Sequence, residues 1–372
     1  MKKLPSKLRT IWYSETDASL LNPLTLILSF LSLFYRSVVN LKNRMYDCGI
    51  FKQTRFPCKV ISIGNITVGG TGKTPTVIML AKSLKEKGYR PAVLSRGYGG
   101  KAKAPVNVVS DGSKILMEQI EAGDEPILIA RAAEGIPVLT GPERIDTARF
   151  AIENLKANVL ILDDAFQHRR IFRDVDIVIL DRELPFGNGF LLPRGPLREP
   201  TTALNRAHFI IWRDSARDGR YPKYQEQGIG WFLPVLSVYL RPKDIIRADT
   251  GEAYSLEFIK EKKVCAFAGI ASPEAFKRTV ESLGWTVTSF IDFPDHYPYT
   301  EADISYIQKR CIDSSSDVIV TTEKDGVRLT DFPDFLKDVF LLRVEMEMLP
   351  SREEFEGLIL ERLQCKYHQW RT

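Results

Sequence analysis

The sequence predicts an α/β fold, and three features carry that expectation. From residue 59 onward, short runs of β-branched and aliphatic residues alternate with helical patterns. Such alternation argues for a parallel sheet covered on both faces. The run "KVISIGNITVGGTGKTPTVIML" sets a glycine turn ending in Gly72-Lys73-Thr74 between a strand and a helix. That is the context of a phosphate-binding P-loop. A second α/β pattern follows a polar stretch at residues 213–231. We therefore expect a head over residues 1–58, a P-loop NTPase-like domain over 59–215, and a second, smaller α/β domain over 216–372. The length of 372 residues suits two domains.

The head is basic. Residues 1–60 hold ten Lys/Arg and three Asp/Glu, a net of +7, which leaves −2 for the rest of the chain. A basic head on a near-neutral body points to an anionic partner, either a nucleic acid or a membrane surface. The apolar content separates the two. Asn22-Pro23 reads as a helix start, and Leu24 to Tyr35 is mostly Leu, Ile and Phe, followed by Arg36, Lys42 and Arg44. Twelve such residues at about 1.5 Å each fall short of a hydrocarbon core of about 30 Å. The pattern fits a helix lying in the membrane interface; the alternative is a buried helix of the core. Basic clusters interleaved with aromatics are lacking, so no nucleic-acid partner is expected, and nothing implies a protein partner. Five scattered cysteines without C-x-x-C spacing argue against a disulfide framework and a cysteine zinc site.

In the body, "KVISIG" reads as a buried strand and "KTPTVIMLAKSLKEKG" as a helix closed by Gly88. "RPAVLS", "PVLTG", "ANVLILDD", "DVDIVILD" and "AHFIIWR" read as strands, with a helix at "ERIDTARFAIENLK". After the polar stretch come "KKVCAFAG" (strand), "SPEAFKRTVESLG" (helix, Ser272 as N-cap), "WTVTSFIDF" (strand), "TEADISYIQKRC" (helix), and the strands "SDVIVTTE" and "DVFLLRVEM".

The loop is the chemical centre. Its opening position is Thr67, where the usual spelling has Gly. Thr67, Val68, Gly69, Gly70, Thr71, Gly72, Lys73 and Thr74 form the candidate nucleotide cradle. Glycines let backbone N–H groups approach phosphates, and the helix N-terminus favours negative charge. Lys73 would meet the β and γ phosphates of ATP, and Thr74 would place its hydroxyl on Mg²⁺. A plain glycine turn is the structural alternative. "VGGTGKT" is also close to the deviant loop of membrane-bound partitioning ATPases, whose signature lysine is replaced here by Val68.

A P-loop needs a metal-holding acid at a neighbouring strand end. Asp163 and Asp164, after "VLIL", supply it. Asp181 follows another strand and is read as structural. Arg144 in "GPERIDTARF" is a candidate for stabilising the transferring phosphoryl group, since a guanidinium matches phosphate oxygens. Glu199 in "PLREP" is a further candidate metal contact.

The segments "GNITVGGTGKTP", "LSRGYGG", "GDEP", "LDDAFQHR", "LPRGPLREP", "FPDHYPYT" and "TTEKDGVRL" run in order from residue 64 to 329. In this combination the chain resembles the tetraacyldisaccharide 4′-kinase family of lipid A biosynthesis. The resemblance implies ATP-dependent phosphorylation, with Mg²⁺, of the 4′-hydroxyl of an acylated glucosamine disaccharide 1-phosphate, giving lipid IVA. It implies a peripheral enzyme at the cytoplasmic face of the inner membrane. It also suggests that Asp124 of "GDEP" takes the hydroxyl proton, assisted by His296 of "PDHY"; sequence alone does not assign which residue does so. After "SRGYG" the family has a basic residue where this chain has Gly100. The competing reading is a membrane-associated regulatory or partitioning ATPase.

Overall fold

A computed structural model describes residues 12, 23–69, 72–214, 235–270, 272–295 and 297–364. The expected polar linker therefore lies outside the described residues except at Arg213 and Asp214.

Among the described residues of the head, Pro23–Asp47 form a helix, α1, of 25 residues. It is twice as long as the apolar run because the polar residues after Arg36 continue it on the face that meets the body. Ser32 donates to the carbonyl of Leu191 at 2.7 Å and Tyr35 to that of Arg198 at 3.1 Å. Further along, Lys42 donates to the carbonyl of Gln167 and Arg169 pairs with Asp47 at 2.7 Å. The opposite face is bare: Leu26, Ile27, Phe30, Leu33, Phe34 and Leu41 are each more than half exposed.

The P-loop half begins with β1 (Lys59–Gly64), α2 (Lys73–Glu86) and β2 (Pro91–Ser95). Gly88, at φ +84, ends the turn after α2. Next come β3 (Asn107–Ser110), α3 (Gln119–Ala122), α4 (Asp124–Ala132), β4 (Val138–Thr140) and α5 (Arg144–Glu153). The strands β5 (Val159–Asp163), β6 (Val175–Asp181) and β7 (Phe209–Asp214) complete it. The second half holds β8 (Val235–Arg247), β9 (Ala253–Tyr254), β10 (Lys263–Ala268), α6 (Pro273–Ser282), β11 (Thr286–Asp292) and α7 (Glu301–Asp313). It closes with β12 (Val318–Thr322), α8 (Glu323–Val327), α9 (Pro333–Leu336), β13 (Val339–Leu349) and α10 (Arg352–Gln364). Ser272 precedes α6 as expected, but its side chain makes no capping bond. Thr300 caps α7 instead with a full capping box to Asp303.

Among the described residues these strands build one 13-stranded sheet, ordered β11-β10-β12-β13-β8-β7-β6-β1-β5-β2-β4-β3, with β9 on β8. Most neighbours are parallel, as the alternating pattern predicts. The β3–β4, β8–β9 and β8–β13 pairs are antiparallel. β8 joins the halves: it runs parallel to β7 on one side and antiparallel to β13 on the other. It lies past the polar stretch, shows no clean alternation, and escaped the sequence reading.

The P-loop sheet is covered on both faces. Ile61, Ile63, Ile161 and Ile177 pack under Val77, Leu80 and Leu84 of α2, while Val60, Leu160 and Leu162 meet Ala148 and Ala151 of α5. α10 returns to this first core, where Phe355 is fully buried and meets Phe209 edge-on.

Candidate active site

β1 lies between β5 and β6, and its register sets Ile63 beside Asp163. The turn after β1 and the acids after β5 therefore emerge together at the carboxyl ends of the strands, where open α/β sheets bind ligands. The turn leans on the "LPRGPLREP" segment. Val68 N–H donates to the carbonyl of Pro196 at 2.9 Å, and Arg198 N–H to that of Ile66 at 2.7 Å. Thr67 pairs with Leu197 in an isolated bridge. Gly72 stands at φ +82 just before α2, a left-handed conformation that favours glycine. Gly69 is at φ +131. Gly70 and Thr71 lie outside the described residues. Thr74 is half-buried in the first turn of α2.

Lys73 points across the turn. Its Nζ is 3.5 Å from Asp164 Oδ1 and 3.5 Å from the carbonyl of Gly69. Asp164 also accepts from Arg198 Nη1 at 3.0 Å on each oxygen. Burial alone would raise its carboxyl, but Lys73, Arg198 and Arg144 together hold it at about 2. Asp163 is the opposite case. It is 1% exposed; one oxygen accepts from Ser95 Oγ at 3.2 Å. The other has no hydrogen-bond partner among the described residues. Burial first, then the neighbouring Glu125 and Asp164, push its carboxyl up to about 7.

Arg144 sits behind this pair, 2% exposed, with Nη2 donating to the backbone carbonyls of Asp163 and Asp164. Glu199 is equally buried; it is bridged to Arg206 at 2.7 Å and accepts from Asn43 of α1 at 3.4 Å. Asp181 accepts from Arg213 and from two backbone N–H groups of its own turn. His168 is kept neutral, its ring pushed down to about 3 by burial and by Arg144 and Arg173.

Asp124 opens α4, which packs against α8 from the other half. One carboxylate oxygen accepts from Gln119 Nε2 at 2.8 Å and the other from Arg328 Nε at 2.6 Å. Lys324 bridges Glu125 at 3.6 Å and Asp295 at 3.7 Å. His296 lies outside the described residues, but its neighbour Asp295 is thus drawn toward the "GDEP" turn. Glu125 also acts on Asp163, so this turn faces the strand-end acids.

The glycine at position 100 has a steric reason. A Cβ there would lie 2.3 Å from the carbonyl oxygen of Glu121, far inside contact distance. The "SRGYGG" turn therefore rests backbone to backbone on the segment leading into Asp124.

Sequence reasoning missed Ser95, Arg198 and Arg328. Each stands in a quoted motif, but its partner is 68, 34 and 204 residues away along the chain, respectively.

The donor set fits a divalent cation. A buried carboxylate with an unpartnered oxygen beside a second carboxylate suits Mg²⁺, which takes one or two carboxylates plus phosphate oxygens rather than an all-protein cage. Accordingly, no cluster of three or more ligating side chains occurs among the described residues.

A Gly-Lys-Thr turn opening a helix, with paired acids on the adjacent strand end, defines a P-loop phosphotransferase-type protein. The family model described as "Tetraacyldisaccharide-1-P 4'-kinase" matches residues 24–364. A tetraacyldisaccharide 4'-kinase of Syntrophus aciditrophicus is 47% identical over 95% of this chain and 97% of its own. One from Desulfatibacillum aliphaticivorans is 38% identical over 98% and 99%. The crystal structure of an "apo" form of LpxK from Aquifex aeolicus, in complex with ATP, superposes with a TM-score of 0.73 and 31% identity. The match covers 91% of this chain and 99% of that one. The chain belongs to the tetraacyldisaccharide 4′-kinase family. These likenesses support the kinase reading and lend nothing to the partitioning ATPase.

Proposed function

We propose that the protein transfers the γ-phosphoryl group of ATP to the 4′-hydroxyl of a tetraacylated glucosamine disaccharide 1-phosphate, giving lipid IVA. One observation carries the reading: Lys73 and Asp164 meet at 3.5 Å, uniting the loop cation with the strand-end acids. In this reading Lys73 leaves Asp164 for the phosphates and neutralises their charge. Thr74, Asp163 and Asp164 would hold Mg²⁺, which supplies further charge neutralisation on the phosphate oxygens. Arg198 keeps Asp164 ionised and oriented. Arg144 adds positive charge from behind and fixes the backbone of both acids. Glu199 ties α1 to the 186–204 segment. Asp124 takes the proton of the acceptor hydroxyl with His296 assisting, a contribution typically worth about 10²–10⁴-fold.

The exposed row on α1 supports membrane attachment, since a large apolar patch on a protein surface marks an interaction site. By length and composition α1 could cross a bilayer. Its inner face is bonded to the body from Ser32 to Asp47, so we assign it to the interface. The enzyme then works at the cytoplasmic face of the inner membrane, where ATP and the lipid acceptor meet.

The test is mass spectrometry of the disaccharide 1-phosphate after incubation with ATP and Mg²⁺. The expected product gains one phosphate at the 4′ position. Hydrolysis of ATP without transfer, or transfer elsewhere on the sugar, overturns the reading.

A further inference from the structure

One of the contacts that join the two halves of the molecule is a buried guanidinium. Arg328, in the turn after α8, has a side chain only 4% exposed. Its Nε donates to Asp124 at 2.6 Å, and its Nη1 donates to the carbonyl of Gly269 at 2.7 Å and to Asp325 Oδ1 at 3.1 Å. Asp325 is fully buried. It accepts in turn from Tyr299 Oη at 2.9 Å, Thr322 Oγ1 at 2.7 Å and the N–H of Gly269 at 3.1 Å. Gly269 belongs to this network by necessity, because a Cβ there would lie 2.8 Å from Tyr299 Oη and 2.9 Å from Asp325 Oδ1.

The network thus runs from Asp124 at the head of α4, through Arg328 and Asp325, to Tyr299 of the "FPDHYPYT" turn. A guanidinium is a planar fork whose donors have fixed directions. With Nη1 committed to Gly269 and Asp325, the direction of Nε is set, and with it the place of the Asp124 carboxylate. Charge-assisted bonds of this kind are short and directional.

We propose that Arg328 is the positioning residue for Asp124: it fixes that carboxylate relative to the second half through Asp325 and Tyr299. The proposal rests on the reading of Asp124 as the proton acceptor. Its force is geometric. A displacement of about 1 Å at a reacting group can cost about 10²-fold in rate, and Arg328 is the described side chain that links the two halves directly at Asp124.

The test uses the full-length protein with Arg328→Gln, Asp124→Asn and the double variant, each checked for folding by circular dichroism. R328Q is expected to lower kcat about 10²-fold while the Kd for ATP, measured by calorimetry, stays within about twofold. In the D124N background, R328Q is expected to cause no further loss, because both changes remove one function. Losses that multiply in the double variant, or an ATP affinity that falls in step with kcat, would overturn the proposal. If R328Q does not fold, Arg328→Lys carries the same comparison: it keeps the charge and loses the fork. Wild-type kcat in folded R328K would then overturn it. The two readings fail differently. An active D124N removes Asp124 as proton acceptor, whereas an inactive D124N beside a fully active R328Q sinks the positioning role alone.

Discussion

Asp163→Asn should stabilise the metal-free protein, and the gain should grow with pH. Burial and the neighbouring acids Glu125 and Asp164 raise the Asp163 carboxyl from 3.8 to about 7 in the folded chain. Between those values the folded protein holds a proton that the unfolded chain has lost. Stability then falls as pH rises through this window, and it stays flat above about 7. At about 1.4 kcal/mol per pH unit, the ionised group costs about 4 kcal/mol at pH 8. Asparagine removes that cost. It places an amide donor where an oxygen now has no partner, at a penalty of about 1–3 kcal/mol for an unmet buried donor. The net gain is about 1–3 kcal/mol. With unfolding entropy near 2.1 cal/mol/K per residue, that raises the Tm of a 372-residue chain by roughly 1–4 °C. The assay is thermal unfolding of wild type and D163N in EDTA from pH 5 to 8.5. The Tm difference should widen up to about pH 7 and then hold. Adding Mg²⁺ and ATP should narrow it if Asp163 holds the cation as proposed, since the ionised carboxylate is then compensated. A difference independent of pH, or one favouring wild type at pH 8, would refute the reasoning.

Two other outcomes are expected. Phe30→Glu with Phe34→Glu, both on the bare face of α1, should release the protein from anionic vesicles in a sedimentation assay and raise the KM for lipid, with no change in Tm. Undiminished vesicle binding would count against the interfacial helix. Gly100→Ala should force the "SRGYGG" turn off the segment before Asp124, costing about 1–3 kcal/mol of stability and lowering kcat at least about tenfold; wild-type kcat would show that the contact relaxes freely.

The sequence by itself determined the local chemistry. A strand, a glycine turn and a helix fit within 30 residues, so backbone geometry leaves little freedom, and the P-loop, Lys73 and Thr74 were legible. The Asp163-Asp164 pair was legible too, because four apolar residues followed by acids mark a buried strand ending at a surface. The apolar helix was half legible: composition shows an apolar stretch, but the full length of α1 depends on the body that its polar side meets. Tertiary structure alone decided the rest. The continuous sheet through β8, the return of α10 to the first core, the grip of Arg198 on Asp164 and the reach of Arg328 to Asp124 are long-range contacts. Each arises because summed burial of many side chains fixes where distant segments come to rest, and no spacing in the sequence encodes that sum.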